Sequence, residues 1–145
     1  MGSVQLAGSD RLTLAVSHAY RATVTQGAVV FTAGIAPLDA DGATESPGDV
    51  VGQVRACLAN LRIVLEDAGA GLADVAKLTL YVAEHLQVDL SVAADAVGEF
   101  FDTVPPLALV GVTRLRYDDQ VVELEAVAGV PAEADGGAGE GAAEA

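Results

Sequence analysis

The chain has no tryptophan, and aromatic residues make up only 4% of it although 52% of its residues are hydrophobic. Its core must therefore be built from Val, Leu, Ile and Ala. A single cysteine, Cys57, excludes an intramolecular disulfide framework and fits a reducing compartment. No apolar run approaches the roughly 20 residues that a membrane-spanning helix needs. Met1 to Ser9 has neither a basic start nor an apolar stretch of signal-peptide type, so a cytoplasmic protein is expected. Bases are scarce too: 7 Lys and Arg stand against 21 Asp and Glu, a net charge of −14. Such a surface repels phosphate backbones and anionic lipid, so neither nucleic acid nor membrane is expected as a partner.

What is present suits one domain over residues 1–131, followed by an acidic Gly/Ala-rich tail, AEADGGAGEGAAEA, over 132–145. The tail has no large apolar residue to offset its ordering entropy and is expected to be disordered. Tyr20–Thr25 and Val29–Ala33 are β-rich runs split by the turn signal Gln26-Gly27, and the alternation of Leu12, Leu14 and Val16 suggests a strand before them. Pro37–Gly48 reads as a loop. Ser46 then offers a cap, Pro47 a first turn and Asp49 a charge suited to the positive end of a helix. Val54, Cys57, Leu58, Leu61, Val64 and Leu65 mark its apolar face, and Gly69 stops it.

A strand is expected over Ala76–Val82, a second helix over Asp89–Phe101 and a strand over Leu109–Leu115. Tyr117–Gln120 then turns the chain back into Val121–Val130, a closing hairpin. The order predicts an α+β domain with a mixed sheet of five or six strands and two helices on one face. Val29-Val30-Phe31 and Leu107–Val110 are apolar on both faces, which calls for a second cover, most simply another copy of the chain.

Chemistry-bearing motifs are few. His18, His85 and Cys57 share no metal-ligand spacing. Gly69-Ala70-Gly71 follows a helix rather than preceding one, so it is no phosphate loop. Neither a metal nor a cofactor is expected. Glu123 and Glu125 lie two apart on a strand and share a face, where they could divide acid and base roles or stand as neighbours on a solvated sheet. His18 and Tyr20 could likewise present polar groups together.

In their order and spacing, Tyr20–Gly27, Val30–Gly34, Pro37–Gly42, Asn60-Leu61 with Ala68–Ala70, Lys77–Val82, Val110–Val112 and Glu123–Ala126 resemble the YjgF/RidA family over about residues 12 to 130. The resemblance implies a chorismate-mutase-like fold and a homotrimer with ligand clefts between subunits. In active members an arginine after a Pro-Ala pair grips the carboxylate of an enamine or imine such as 2-aminoacrylate, which water hydrolyses to a keto acid and ammonia. A glutamate on the last strand is thought to orient that water, and a tyrosine near the first strand lines the cleft.

Carried over by position, Glu123 and Tyr20 are the catalytic candidates. His18, Ala33, Gly34, Ile35, Ala94, Leu107 and Leu109 would line the substrate site. Leu107 stands where the arginine should be, Ala33 replaces a serine, Ile35 a glutamine and Ala94 an asparagine. Losing a bidentate, charge-assisted carboxylate contact costs on the order of 2–5 kcal/mol. Arg114, seven residues on, and Arg21, beside Tyr20, are read as facing away. Three readings follow. The chain is a family member binding a small, apolar metabolite, with Glu123 as a possible base on another substrate; or a deaminase with a different anchor; or a non-catalytic binding module.

Overall fold

The computed structural model describes residues 3–8, 11, 19–83 and 86–132. The expected strand around Leu12–Val16, His18, His85 and the tail from residue 133 lie outside them. Six strands and two helices follow in the order β1 (Val4–Ala7), β2 (Arg21–Val24), β3 (Ala28–Phe31), α1 (Val50–Asp67), β4 (Val75–Ala83), α2 (Val88–Gly98), β5 (Leu107–Val112) and β6 (Val122–Val130). None of the described helices is long and apolar enough to cross a membrane.

The strands divide into a β1–β2 pair and a four-stranded mixed sheet ordered β3–β6–β4–β5, in which only β4 and β5 run parallel. Both helices pack on the larger sheet. Val54, Cys57, Leu58, Leu61 and Leu65 of α1 and Ala93, Ala96 and Val97 of α2 bury against Leu78, Leu80, Val82, Val122, Leu124, Ala126 and Ala128. This is the expected α+β class, with a core almost free of aromatics.

Two expectations about connections fail. The closing hairpin does not form, because β6 inserts between β3 and β4 while β5 sits on the sheet edge. β5 reaches that edge through α2, the crossover that a parallel neighbour of β4 requires. Gln26-Gly27 likewise joins two sheets rather than two paired strands. Gly27 has φ +82°, and a Cβ there would run into the Val130 carbonyl.

The start of α1 is also displaced. Ser46, at φ 46°, and Gly48, at φ 73°, are left-handed, so Ser46–Asp49 closes as a turn and the helix begins at Val50 without a side-chain cap. Buried Gln53 takes over the anchoring. Its amide nitrogen donates to Asp119 O (2.7 Å) and Ser46 O (3.1 Å), and its oxygen accepts from Val121 N (2.7 Å) and Val122 N (3.1 Å). Val64, assigned to the apolar face, is exposed. The helix ends as expected: Gly69, at φ +84°, lets Ala70 N bond Leu65 O at 2.8 Å. The second helix is shorter than predicted, ending at Gly98.

Candidate functional site

The residues singled out from sequence fall into two groups on this one chain. The first surrounds the start of β6. Ile35 and Leu124 form an antiparallel bridge, with Ile35 N bonded to Leu124 O at 2.6 Å and Leu124 N to Ile35 O at 3.1 Å. That bridge sets Gly34 so close to half-buried Glu123 that a Cβ at position 34 would overlap the Glu123 carboxylate. Buried Gln120 donates to Glu123 Oε1 at 3.3 Å and to Val122 O at 2.9 Å. Exposed Ala33 adds a carbonyl that accepts from the Thr32 hydroxyl at 2.8 Å.

Cys57 closes this group from α1, its sulfur 3.4 Å from Ile35 O. Burial, and then the negative charge of Glu123, push its thiol far above the ordinary thiol range. A thiol so held is a packing group and not a nucleophile. Glu125, two residues from Glu123, is engaged elsewhere. It accepts from the Tyr81 hydroxyl at 2.9 Å, and that bond, with burial and the charges of Glu125 and Glu123, raises the Tyr81 phenol.

The second group lines a cavity of about 400 Å³ between the β5 edge and α2, formed by Ala19, Tyr20, Lys77, Ala94, Pro106, Leu107 and Leu109. Backbone bonds fix its walls. Ala19 N donates to Val104 O and Tyr20 N to Ala7 O, both at 2.9 Å, and Leu78 N donates to Pro106 O at 2.9 Å. Parallel pairing sets Leu107 beside Leu78 and Leu109 beside Leu80. Four candidates thus share one cavity, whereas Ala33, Gly34, Ile35 and Glu123 do not line it.

Arg114 does not lie on β5, which ends at Val112, so the strand argument for its direction fails. It lines a separate loop cavity with Arg116 and Asp118. Arg21 donates to Gly8 O at 3.0 Å. Among the described residues no cluster of His, Cys, Asp and Glu suits a metal ion.

Lys77 was missed from sequence as a cavity residue. The signal was there, since it is the chain's one lysine. Alternation with buried Leu78, Leu80 and Val82 sets it on the outer face, and the bulge at Ala76, where the β4–β6 register steps from Val75↔Ala128 to Lys77↔Val127, brings Val75 back into the core. Val75 and Leu78, three apart, thus both face the core.

Residues 11–130 match the family model described as endoribonuclease L-PSP. A RutC family protein of Pyrococcus abyssi is 32% identical over 110 residues, covering 75% of this chain and 84% of that protein. The chain belongs to the YjgF/RidA family. TdcF of Escherichia coli, a candidate reactive intermediate deaminase, is 32% identical over 109 residues, covering 72% of this chain and 81% of TdcF. The crystal structure of the Rid family protein YyfB from Yersinia pestis superposes with a TM-score of 0.78 at 27% identity, over 88% of this chain and 98% of that one.

Proposed function

We propose that this chain is a homotrimer whose clefts between subunits bind a small, largely apolar metabolite, and that it is not an ordinary 2-aminoacrylate deaminase. The observation that carries this reading is Leu107. At the position where active family members are expected to hold the carboxylate-binding arginine, it lines the cavity with Leu109 and Ala94. Glu123 lies outside that cavity, which supports a site completed by a neighbouring subunit, with Glu123 of one chain facing the Tyr20–Leu107 wall of the next. There Glu123, beside Gly34 and held by Gln120, would serve as base or water-orienting group for a substrate other than 2-aminoacrylate.

A trimer is supported by the sheet face turned away from the helices. Val29 and Phe31 pair with Gly129 and Val127, which alternate with buried Ala128 and Ala126. Phe31 is 77% exposed and Val29 43%. A cytoplasmic setting fits the single cysteine.

A second reading, enamine or imine hydrolysis with a different anchor, is favoured by the likeness to TdcF and by Lys77 in the cavity. RNA cleavage, which the family description names, is disfavoured by the charge of −14. Thermal denaturation with a panel of small aliphatic and aromatic metabolites tests the cavity. Members that fit should raise the Tm of the native chain and leave Leu109→Trp, whose ring fills the space, unmoved. Equal shifts in both proteins would remove the reading.

A further inference from the structure

We infer that the Lys77 ammonium pairs with the Glu123 carboxylate of a neighbouring chain, so that charges from two subunits close each cleft. The inference rests on the reading of a trimer in which Glu123 faces the Tyr20–Leu107 wall of the next chain, and it names a contact that holds that boundary together.

Along the strands of the larger sheet the only charged side chains are Lys77, Glu123 and Glu125. All of them share the face turned away from the helices: Lys77 precedes buried Leu78, and Glu123 and Glu125 alternate with buried Val122, Leu124 and Ala126. Val29 and Phe31 stand on the same face. An exposed lysine is ordinarily just a solvated charge. Lys77 differs from exposed Arg62 on α1 and exposed Arg114 after β5 because its face is the one a second copy is proposed to cover.

Closing an apolar face over an ammonium strips its water, and an unpartnered buried charge is strongly destabilising. Register sets Lys77 opposite Val127 and Glu123 opposite Tyr81, four positions away along the strands, which is roughly 13 Å at the rise of a strand. Within one chain the two are too far apart to pair. Glu125 is nearer, but it accepts from the Tyr81 hydroxyl at 2.9 Å, and among the described residues Lys77 has no ion pair.

Glu123 is the complement. Its carboxylate accepts from the Gln120 amide at 3.3 Å and keeps lone pairs for a further donor. Lys77 lines the same cavity as Tyr20 and Leu107, so a chain that presents this wall to Glu123 presents the ammonium too. The pair fixes the carboxylate at the subunit boundary. It also leaves the cavity without a free cation, in keeping with an apolar ligand.

Reversing the charges in the full-length protein reads this directly. Lys77→Glu and Glu123→Lys should each raise the concentration at which the trimer dissociates by about ten-fold or more, since each sets like charges together. Light scattering over a dilution series measures it. The double reversal, Lys77→Glu with Glu123→Lys, should return the trimer to near its native strength. Arg62→Glu makes the same change in net charge on the helix side and should leave the trimer as it was. Lys77→Met should weaken the trimer and Lys77→Arg keep it, which carries the test if circular dichroism finds a reversed chain unfolded. A folded double variant that does not recover, or recovery by Lys77→Glu with Glu125→Lys instead, would overturn the inference while the trimer stands. So would Arg62→Glu weakening the trimer as much as Lys77→Glu, or Lys77→Met and Lys77→Arg behaving alike. A monomeric native chain would remove the inference and the trimer together.

Discussion

Single side chains decide what this molecule can hold. A guanidinium at position 107 would give a carboxylate two parallel hydrogen bonds; leucine gives dispersion and excludes water. At the start of β6, Gly34 is needed for its missing side chain, because the Glu123 carboxylate occupies the space a Cβ would take. The order of motifs singled out both positions. Cys57 could be assigned to the core from its place on the helix face, but its closeness to Glu123 could not, since the two are 66 positions apart and meet only through the Ile35–Leu124 bridge.

Burial of the Cys57 thiol, with the charge of Glu123 added to it, has a consequence in pH. The folded chain holds the thiol well above its ordinary value of 9.0, so below that pH both states carry the proton and stability is unaffected. Above it only the unfolded chain ionises, and stability falls with rising pH by up to about 1.4 kcal/mol per unit. The Tyr81 phenol, also raised, adds to the fall in the same direction. Urea denaturation between neutral and alkaline pH should show the decline, and Cys57→Ala should flatten part of it. An unchanged slope in that variant would mean the thiol is not held as described.

Elements were more legible than their connections. Periodicity located α1 because five of its six assigned apolar positions are buried, and the β-branched runs located β2, β3, β4 and β6 to within a residue or two. Pairing was not legible. Adjacent strands with a polar turn between them look like a hairpin, yet β6 pairs with β3 and β4, more than 35 residues away in sequence, and those bonds are set by burying Leu124 and Ala126 under α1.

The helix start was misread for a related reason: Ser46 and Asp49 have capping chemistry, but buried Gln53 does the anchoring. A lone glutamine in an apolar helix face looks like surface. Here it satisfies two carbonyls and two amides of the 46–49 turn and the β5–β6 loop. Gln53→Leu should therefore cost on the order of 3 kcal/mol, since it leaves buried backbone groups unpaired. Urea midpoints measure this, and a loss no larger than that of a surface substitution would show the network to be idle.

For the whole molecule, the question is what covers the second face of the sheet. The helices bury one side; the other presents Val29, Phe31 and Val110 to solvent. Such a face is expected to close against copies of itself, because burying it removes apolar area at about 25 cal/mol for each Å². Phe31→Glu places a charge at its most exposed residue. Light scattering should find three chains together in the native protein and a smaller particle in the variant, whereas an unchanged mass in Phe31→Glu would place the interface elsewhere.

Function also belongs to this scale, because the cavity and Glu123 are proposed to meet only across subunits. Leu107 is proposed to remove this family member from 2-aminoacrylate hydrolysis. Ammonia and keto-acid release from enamines generated by an amino-acid oxidase, compared between the native chain and Leu107→Arg, tests it most directly. The native chain should be slow and the variant faster; native turnover equal to that of Leu107→Arg would contradict this role of Leu107.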